Sequence, residues 1–187
     1  MGETTKAHNR RLKENWFKKY APDDRSGIDI GCQIDPLNDT FRRWDIIFGD
    51  SDATFLKGIS DNKFHTVYAS HILEHLEFPV FAIQNWYRVL RPGGHLIINV
   101  PHRDLYECKK ELPSFWNQQH RIFWLPDQEE PPYTLSLKNT VLDAIVDANI
   151  ILFRILNEGY SRNGNKHPGG EYSIECIVQK PFTKAFK

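Results

Sequence analysis

The sequence predicts one α/β domain, a Rossmann-like fold whose mostly parallel, twisted sheet carries helices on both faces. A helical pattern at residues 78–91 lies between two strand-like runs, at 64–70 and 95–100. This strand–helix–strand order is a βαβ unit with a right-handed crossover. The run at 95–100, HLIINV, is apolar almost throughout, as in a strand buried on both faces. The length of 187 residues, with 40% hydrophobic and 26% charged residues, fits a single globular domain.

Composition excludes several classes of protein. Lys and Arg total 24, as do Asp and Glu, so the chain lacks the basic footprint of a nucleic-acid-binding protein. No apolar run approaches the roughly 18 residues of a membrane span, and the first residues lack the apolar core of a signal peptide. Cys32, Cys108 and Cys176 are too scattered for a disulfide framework or zinc ribbon. We therefore expect a cytoplasmic protein that binds no nucleic acid and has no membrane span, as a monomer or homodimer.

The first 22 residues are predicted to form an N-terminal helix. Over residues 6–20, Leu12, Trp16 and Tyr20 recur every four residues, and basic side chains cover the rest. Two interpretations remain open. The helix packs on the sheet with its charges in solvent, or its charges form a small patch for a phosphorylated substrate.

The segment 27–100 is the predicted core. Its expected elements are strands at 27–30, 43–48, 64–70 and 95–100, one or two helical turns at 52–59, and a helix at 78–91 that Pro92-Gly93-Gly94 ends. Only 13 residues, 31–43, connect the first two strands, and 15, 49–63, precede the third. The helices early in the fold must therefore be short or missing.

The remaining residues complete the domain. Residues 101–134 are rich in Pro, aromatic, His and charged residues, which indicates an insertion beyond the carboxyl end of a strand. Residues 135–187 are predicted to hold a helix at 137–148 and strands at 150–156 and 172–178, paired as an antiparallel edge hairpin.

Acidic residues at predicted strand ends are candidate ligand contacts. The first strand ends in Asp29, then Gly31, where backbone can approach a ligand in the crevice outside the sheet. An acid after the second strand, such as Asp45, is the usual partner of a ribose diol. Asp52-Ala53 could bind an adenine edge. Tight turns and helix caps would explain the same residues.

Four stretches in order, IDIGC, Asp52-Ala53, SHILEHL and RVLRPGGHLIINVP, carry a family resemblance. Over residues 27–101 the sequence resembles class I S-adenosylmethionine-dependent methyltransferases of the methyltransferase 11/23-like branch. The stretch that follows, to about residue 126, resembles a small bacterial or phage-type subgroup associated with glycans. The resemblance implies S-adenosyl-L-methionine as cofactor and S-adenosyl-L-homocysteine as product.

The resemblance also assigns cofactor contacts to individual residues. The methionine moiety would be surrounded by Asp29, Gly31 and Cys32, and the ribose would face Asp45. The adenine would be held by Asp52 and Ala53, and the methyl group would lie near Ser70 and His71. Where the family has further glycines, this chain has Gln33-Ile34-Asp35. This leaves open whether Asp45 or Asp50 faces the ribose, and whether the chain is a non-catalytic relative.

Histidines after the third strand are the candidate catalytic groups. A histidine can take the proton of a hydroxyl acceptor near neutral pH. His71 is the first candidate base, and His75 is the second. The competing interpretations are a hydrogen bond that closes the cofactor pocket for His71, and a brace for the first loop for Glu74-His75. No metal is expected, because His71 and His75 alone are too few ligands.

The acceptor is expected to bind in the insertion. Its aromatic, amide, imidazole and guanidinium groups suit a sugar or a nucleotide sugar, although the aromatic residues could simply pack the insertion down. The candidates are His102, Arg103, Tyr106, Trp116, Asn117, His120 and Arg121. The sequence thus predicts methyl transfer to a hydroxyl of a sugar or glycan precursor. A nicotinamide-dependent enzyme is disfavoured because no G-x-G-x-x-G follows the first strand.

Overall fold

A six-stranded sheet forms the centre of the computed structural model, which describes residues 2–164 and 166–182. The strand order is β2-β1-β3-β4-β8-β7. The strands are β1 Gly27–Ile30, β2 Arg42–Trp44, β3 Phe64–Ser70, β4 Leu90–Pro101, β7 Ile150–Leu156 and β8 Ser173–Gln179. Strands β1 to β4 pair in parallel, and β8 runs antiparallel to both of its neighbours. The predicted fold class, including the antiparallel C-terminal hairpin, is confirmed.

Alternate residues of the central strands face two apolar layers. One layer contains Tyr68 and Ile97 with Trp16 and Tyr20 of helix α2, Trp16–Tyr20, which follows helix α1, Glu3–Lys13. The other contains the flanking strand residues and the helices α3 Pro79–Val89 and α4 Leu137–Ala144. Because side chains alternate along a strand, the two layers lie on opposite faces. Helices therefore cover both faces, as the sequence predicted.

The N-terminal segment differs from the single helix predicted over residues 6–20. Asn15 adopts the left-handed conformation, with φ of 54°, and separates α1 from α2. The break turns Leu12 outwards, so its side chain is 56% exposed rather than part of a buried stripe. Arg10 and Arg11 are buried instead. Arg10 pairs with Glu171, and Arg11 donates to the Tyr68 hydroxyl, so neither belongs to a free basic patch.

Two predicted elements between β1 and β3 are wrong. The strand predicted at 43–48 ends at Trp44, because the Asp45 carboxylate accepts a hydrogen bond from the Ile47 N–H and begins a 3-10 turn, Ile46–Phe48. Residues 52–59 form turns rather than helix. Within the described residues no helix lies between β1 and β2, in agreement with the shortened early helices that the sequence predicted.

Strand β4 begins earlier than predicted. Helix α3 ends at Val89, and the strand starts at Leu90, so the segment Arg91–Gly94 lies inside β4 rather than between helix and strand. A Cβ at Gly94 would lie 2.5 Å from the His65 carbonyl oxygen. Glycine is therefore needed here for the close pairing of β3 with β4. Helix α4 ends at Ala144, four residues before its predicted end.

The segment 101–134 leaves the carboxyl end of β4 and forms its own small sheet. Strands β5 Phe123–Leu125 and β6 Thr134–Ser136 pair in parallel. The backbone N–H groups of Arg121 and Ile122 donate to the Glu74 carbonyl, which fixes this segment beside the end of β3. In the part of the chain that the structure describes, no helix is long and apolar enough to cross a membrane.

Candidate functional site

The carboxyl ends of β1, β2 and β3 open into one cavity of about 760 Å³. Gly31, Asp45 and His71, which follow these strands directly, line it. A second cavity, of about 560 Å³, shares Gly31, His71, His75 and further residues with the first. Both volumes fall in the usual range for small-molecule sites, and strand carboxyl ends are where open α/β sheets bind ligands.

Asp45 is the acid that faces the first cavity after β2. Its carboxylate accepts hydrogen bonds from the backbone N–H groups of Gln33, at 3.1 Å, and Ile47, at 3.0 Å. Asp50 does not line this cavity; it accepts from the Asp45 N–H and pairs with Arg42. Of the two acids that the sequence left open for the ribose, the structure places Asp45 at the cavity.

Asp52 and Ala53, which the resemblance assigns to the adenine, also line the first cavity. The Asp52 carboxylate accepts from the Thr54 N–H at 2.6 Å, and the Ala53 carbonyl accepts from the Trp86 indole N–H at 2.9 Å. Their neighbour Ser51 lines the cavity with a buried hydroxyl that has no hydrogen-bond partner among the described residues. Sequence reasoning missed Ser51, since a serine in a turn is unremarkable.

Two carboxylates form hydrogen bonds that fix the loop after β1, which contains Gln33-Ile34-Asp35 where the family has glycines. The buried Asp29 carboxylate accepts from the Leu37 N–H at 2.7 Å, and burial raises the pKa of Asp29 to about 7. Asp35 accepts from the backbone N–H groups of Thr4 and Thr5 at the start of α1. Side-chain hydrogen bonds therefore hold this loop to β1 at Leu37 and to the start of α1 at Asp35.

Gly31 and Cys32 follow β1 at the junction of the two cavities. Gly31 has φ of 73°, and a Cβ there would lie 2.8 Å from the Ile72 side chain. Cys32 lines the second cavity together with Asp29 and Ser70. Burial raises the pKa of the Cys32 thiol to about 11, so it is protonated at neutral pH and is a poor nucleophile.

His71 lines both cavities. It follows β3 in the left-handed conformation, with φ of 53°. Its Nε2 lies 2.8 Å from the Ser173 hydroxyl oxygen. Burial lowers the pKa of His71 to about 4, so the imidazole is neutral at pH 7.

The second cavity is walled by aromatic rings and by the N-terminus. The Tyr106 and Tyr172 rings lie 4.9 Å apart, and His167 packs against both. Gly2, Glu3 and Thr4 complete the wall, which sequence reasoning missed because nothing local brings residues 2–4 beside residue 172.

The predicted acceptor residues divide into two groups. Tyr106, Asn117 and His120 line the second cavity, and Arg121 lines the first with Asn117 and His120.

The other three predicted acceptor residues line neither cavity. The His102 ring accepts from the Asp104 N–H, the Arg103 guanidinium binds Asp104, Glu130 and Thr134, and the Trp116 indole donates to the Tyr106 carbonyl. These contacts hold the insertion together rather than facing a ligand.

Glu74, His75 and His120 meet where the two cavities join. Each offers one ligand atom, and the three atoms lie within 4.8 Å of one another. The sequence counted only His71 and His75 as candidate metal ligands. It could not show that the insertion returns His120 to the end of β3.

Comparison with known proteins gives the fold and a family match. Residues 27–98 match the family model described as a methyltransferase domain. A search of curated proteins found no relative.

Similar solved structures include a SAM-dependent methyltransferase from Archaeoglobus fulgidus, with 19% identity and a TM-score of 0.55, covering 95% of this chain and 94% of that one. Another, from Methanosarcina mazei, has 16% identity and a TM-score of 0.52, covering 89% and 97%. The cyclase SpnF has 14% identity and a TM-score of 0.57, covering 92% and 80%.

Proposed function

We propose that this chain, whose residues 27–98 match a methyltransferase domain model and whose sheet has a Rossmann-like order, is a class I S-adenosylmethionine-dependent methyltransferase that methylates a hydroxyl of a small acceptor such as a sugar or glycan precursor. S-adenosylmethionine is the cofactor, and it supplies a methyl group already activated on a sulfonium. The observation that carries the proposal is the pair of cavities joined at His71, which together offer room for a cofactor and an acceptor.

The first cavity fits the nucleoside part of the cofactor. Asp45 presents an anionic acceptor suited to a ribose diol, and the unpartnered Ser51 hydroxyl is free to bond a polar edge. Gly31 lets backbone approach closely between the cavities. Asp29, Cys32 and Ser70, which line the second cavity, would then surround the methionine moiety.

The remaining part of the second cavity would hold the acceptor. Tyr106 and Tyr172 offer aromatic faces, and Asn117 offers an amide, a combination that suits a hydroxylated ring. The same rings would also suit other acceptors, so the sugar hydroxyl is the hypothesis that the acceptor screen tests.

His71 is the proposed general base. Methyl transfer forms a bond from acceptor oxygen to methyl carbon and breaks the carbon–sulfur bond, whose electron pair stays on sulfur. The acceptor proton goes to His71, which is unprotonated at neutral pH and lies between the two cavities. Holding both reactants in line supplies most of the catalysis, since proximity can contribute roughly 7–11 kcal/mol.

Calorimetric titration with S-adenosylmethionine, with S-adenosylhomocysteine and with NAD as a control tests the cofactor site. We expect one-to-one binding of the first two and none of NAD. Incubation with radiolabelled cofactor and panels of sugars, nucleotide sugars, phenols and amines then tests the acceptor. Label transfer confined to amines or phenols would contradict the sugar proposal.

A non-catalytic binding protein is the second candidate, favoured by the non-glycine loop Gln33–Asp35 after β1. It predicts no cofactor binding at millimolar concentration. Saturable cofactor binding with product formation excludes it.

A further inference from the structure

Glu74 is a buried carboxylate whose hydrogen-bonding capacity is unused. It sits in the 3-10 turn after β3, is 0% exposed, and both of its side-chain oxygens lack a partner among the described residues. Leaving a carboxylate unpaired in the interior is costly unless a cation or a proton accompanies it. An unpartnered buried acid beside a cavity therefore points to a missing positive group.

Three imidazoles surround this carboxylate: His71 faces it with Nδ1, at 3.8 Å from Oε1, and two others face it with Nε2. His75 Nε2 lies 3.9 Å and His120 Nε2 lies 3.8 Å from Glu74 Oε1. Their rings cross at 78°, with centroids 4.8 Å apart. Metal–nitrogen and metal–oxygen bonds of about 2.0–2.2 Å would need these atoms to close by a few tenths of an ångström to about 1 Å.

The opposite nitrogen of each ring is already engaged. His75 Nδ1 lies 3.2 Å from the Gln119 carbonyl oxygen, which can only accept, so Nδ1 carries the proton. His120 Nδ1 lies 2.5 Å from the carboxylate of Glu107, which is itself 1% exposed. Both Nε2 atoms are left with lone pairs. Donation of the second ring nitrogen to a carbonyl or carboxylate is the arrangement that orients metal-binding histidines.

We propose that Glu74, His75 and His120 bind a divalent first-row transition metal ion. Two imidazoles and one carboxylate form a donor set that suits Zn²⁺, Mn²⁺, Fe²⁺ or Co²⁺ better than Mg²⁺, which prefers oxygen ligands. Three protein ligands leave coordination positions open, as in catalytic rather than structural metal sites.

The open positions face the second cavity, which all three residues line. If the proposed function holds, on which this step rests, the open coordination positions would bind an oxygen atom of the acceptor. A metal-bound hydroxyl is more acidic than a free one, so the ion would assist removal of the acceptor proton. An acceptor with two neighbouring oxygen atoms would fit such a site best.

Metal uptake by the purified protein tests the site without cofactor or acceptor. Chelator-treated protein is titrated with Zn²⁺ by calorimetry and with Co²⁺ by visible absorption, and metal content is measured after desalting. We expect about one equivalent of metal per chain. Glu74→Gln and His120→Ala should weaken binding by ~100-fold or more, and Glu107→Gln by about 10–100-fold. His8→Ala, which removes an exposed imidazole of α1, should bind as wild type does.

The outcomes separate the metal site from the methyltransferase proposal. Wild-type protein that takes up no metal, or a Glu74→Gln variant that binds it unchanged, would overturn the metal site. Glu74→Gln keeps the shape of the side chain, and its thermal unfolding reports whether it folds. Cofactor binding measured in the presence of chelator tests the proposed function independently.

Discussion

His71 and Ser173, which are 102 residues apart in sequence, are joined by a 2.8 Å contact between His71 Nε2 and the serine hydroxyl. The contact ties the end of β3 to the start of β8, two strands that are not neighbours in the sheet. It occupies Nε2, and the other ring nitrogen, Nδ1, lies 3.8 Å from Glu74 Oε1. The orientation of the proposed base thus depends on the strand that completes the sheet.

Replacing His71 with Asn should abolish most of the methyl transfer. Asparagine tolerates the left-handed backbone at this position, so the variant should fold. Loss of a general base should lower kcat by about 100-fold or more. The measurement is label transfer at saturating cofactor, with cofactor affinity from calorimetry as the control. Undiminished kcat would exclude His71 as the base.

Asp45→Asn should weaken cofactor binding. The change removes the charge that the proposed function places at the ribose, and one of the two acceptor oxygens that bind backbone N–H groups. Hydrogen bonds to charged groups contribute about 1.5–3 kcal/mol, so Kd should rise by ~10–100-fold. Asp39→Asn is the matched control, because the Asp39 side chain is 96% exposed. Equal affinities in the two variants would remove Asp45 from the site.

The stability of the protein should contain a pH-dependent contribution from Asp29. Burial raises its pKa from 3.8 to about 7 in the folded state. Between these values the unfolded chain releases the proton and the folded chain keeps it, so the free energy of unfolding falls as pH rises from about 4 to about 7. The contribution is constant above pH 7.

Asp29→Asn removes this contribution. Denaturant unfolding at several pH values should therefore give a variant that gains stability relative to wild type as pH rises, by on the order of 2–4 kcal/mol at pH 7.5. A difference between the two proteins that does not change with pH would contradict the raised pKa.

The ion pair between Arg10 and Glu171 should couple α1 to the segment before β8. The guanidinium binds both carboxylate oxygens, and the two side chains are only 8% and 7% exposed. Removing one partner of a buried pair costs about 3–5 kcal/mol. We expect Arg10→Met and Glu171→Gln each to lower the free energy of unfolding by about this amount. The double variant should lose less than the sum of the two, as measured by denaturant unfolding.

Sequence patterns predicted the sheet better than the first helix. The apolar runs of β1 and β3 have the bounds that the sequence indicated, since buried strands need continuous apolar residues. The prediction of one helix over residues 6–20 was wrong because the four-residue spacing of apolar residues continues across Asn15, although the helical backbone is interrupted there. Asparagine is a known but weak signal for a left-handed helix end.

The sequence could predict only those residues of the candidate site that directly follow a strand. Asp45 and His71 follow strands directly, so chain order places them at one edge of the sheet. The second cavity depends on Tyr172 and on residues 2–4, whose meeting is a property of the whole topology. Arg103 was expected at the acceptor because it is polar and lies in the insertion, but its guanidinium bonds to Asp104, Thr134 and Glu130 of its own segment.

The position of β8 has a consequence for synthesis on the ribosome. This strand, the last one among the described residues, lies inside the sheet between β4 and β7 and is almost fully buried. Until residues 173–179 emerge, the long, apolar strand β4 keeps one edge unpaired, and β7 has no partner in the sheet. Such edges invite aggregation, so the nascent chain is most vulnerable just before its C-terminal strand is made. Stop codons upstream of Ser173 should therefore yield insoluble rather than partly active products.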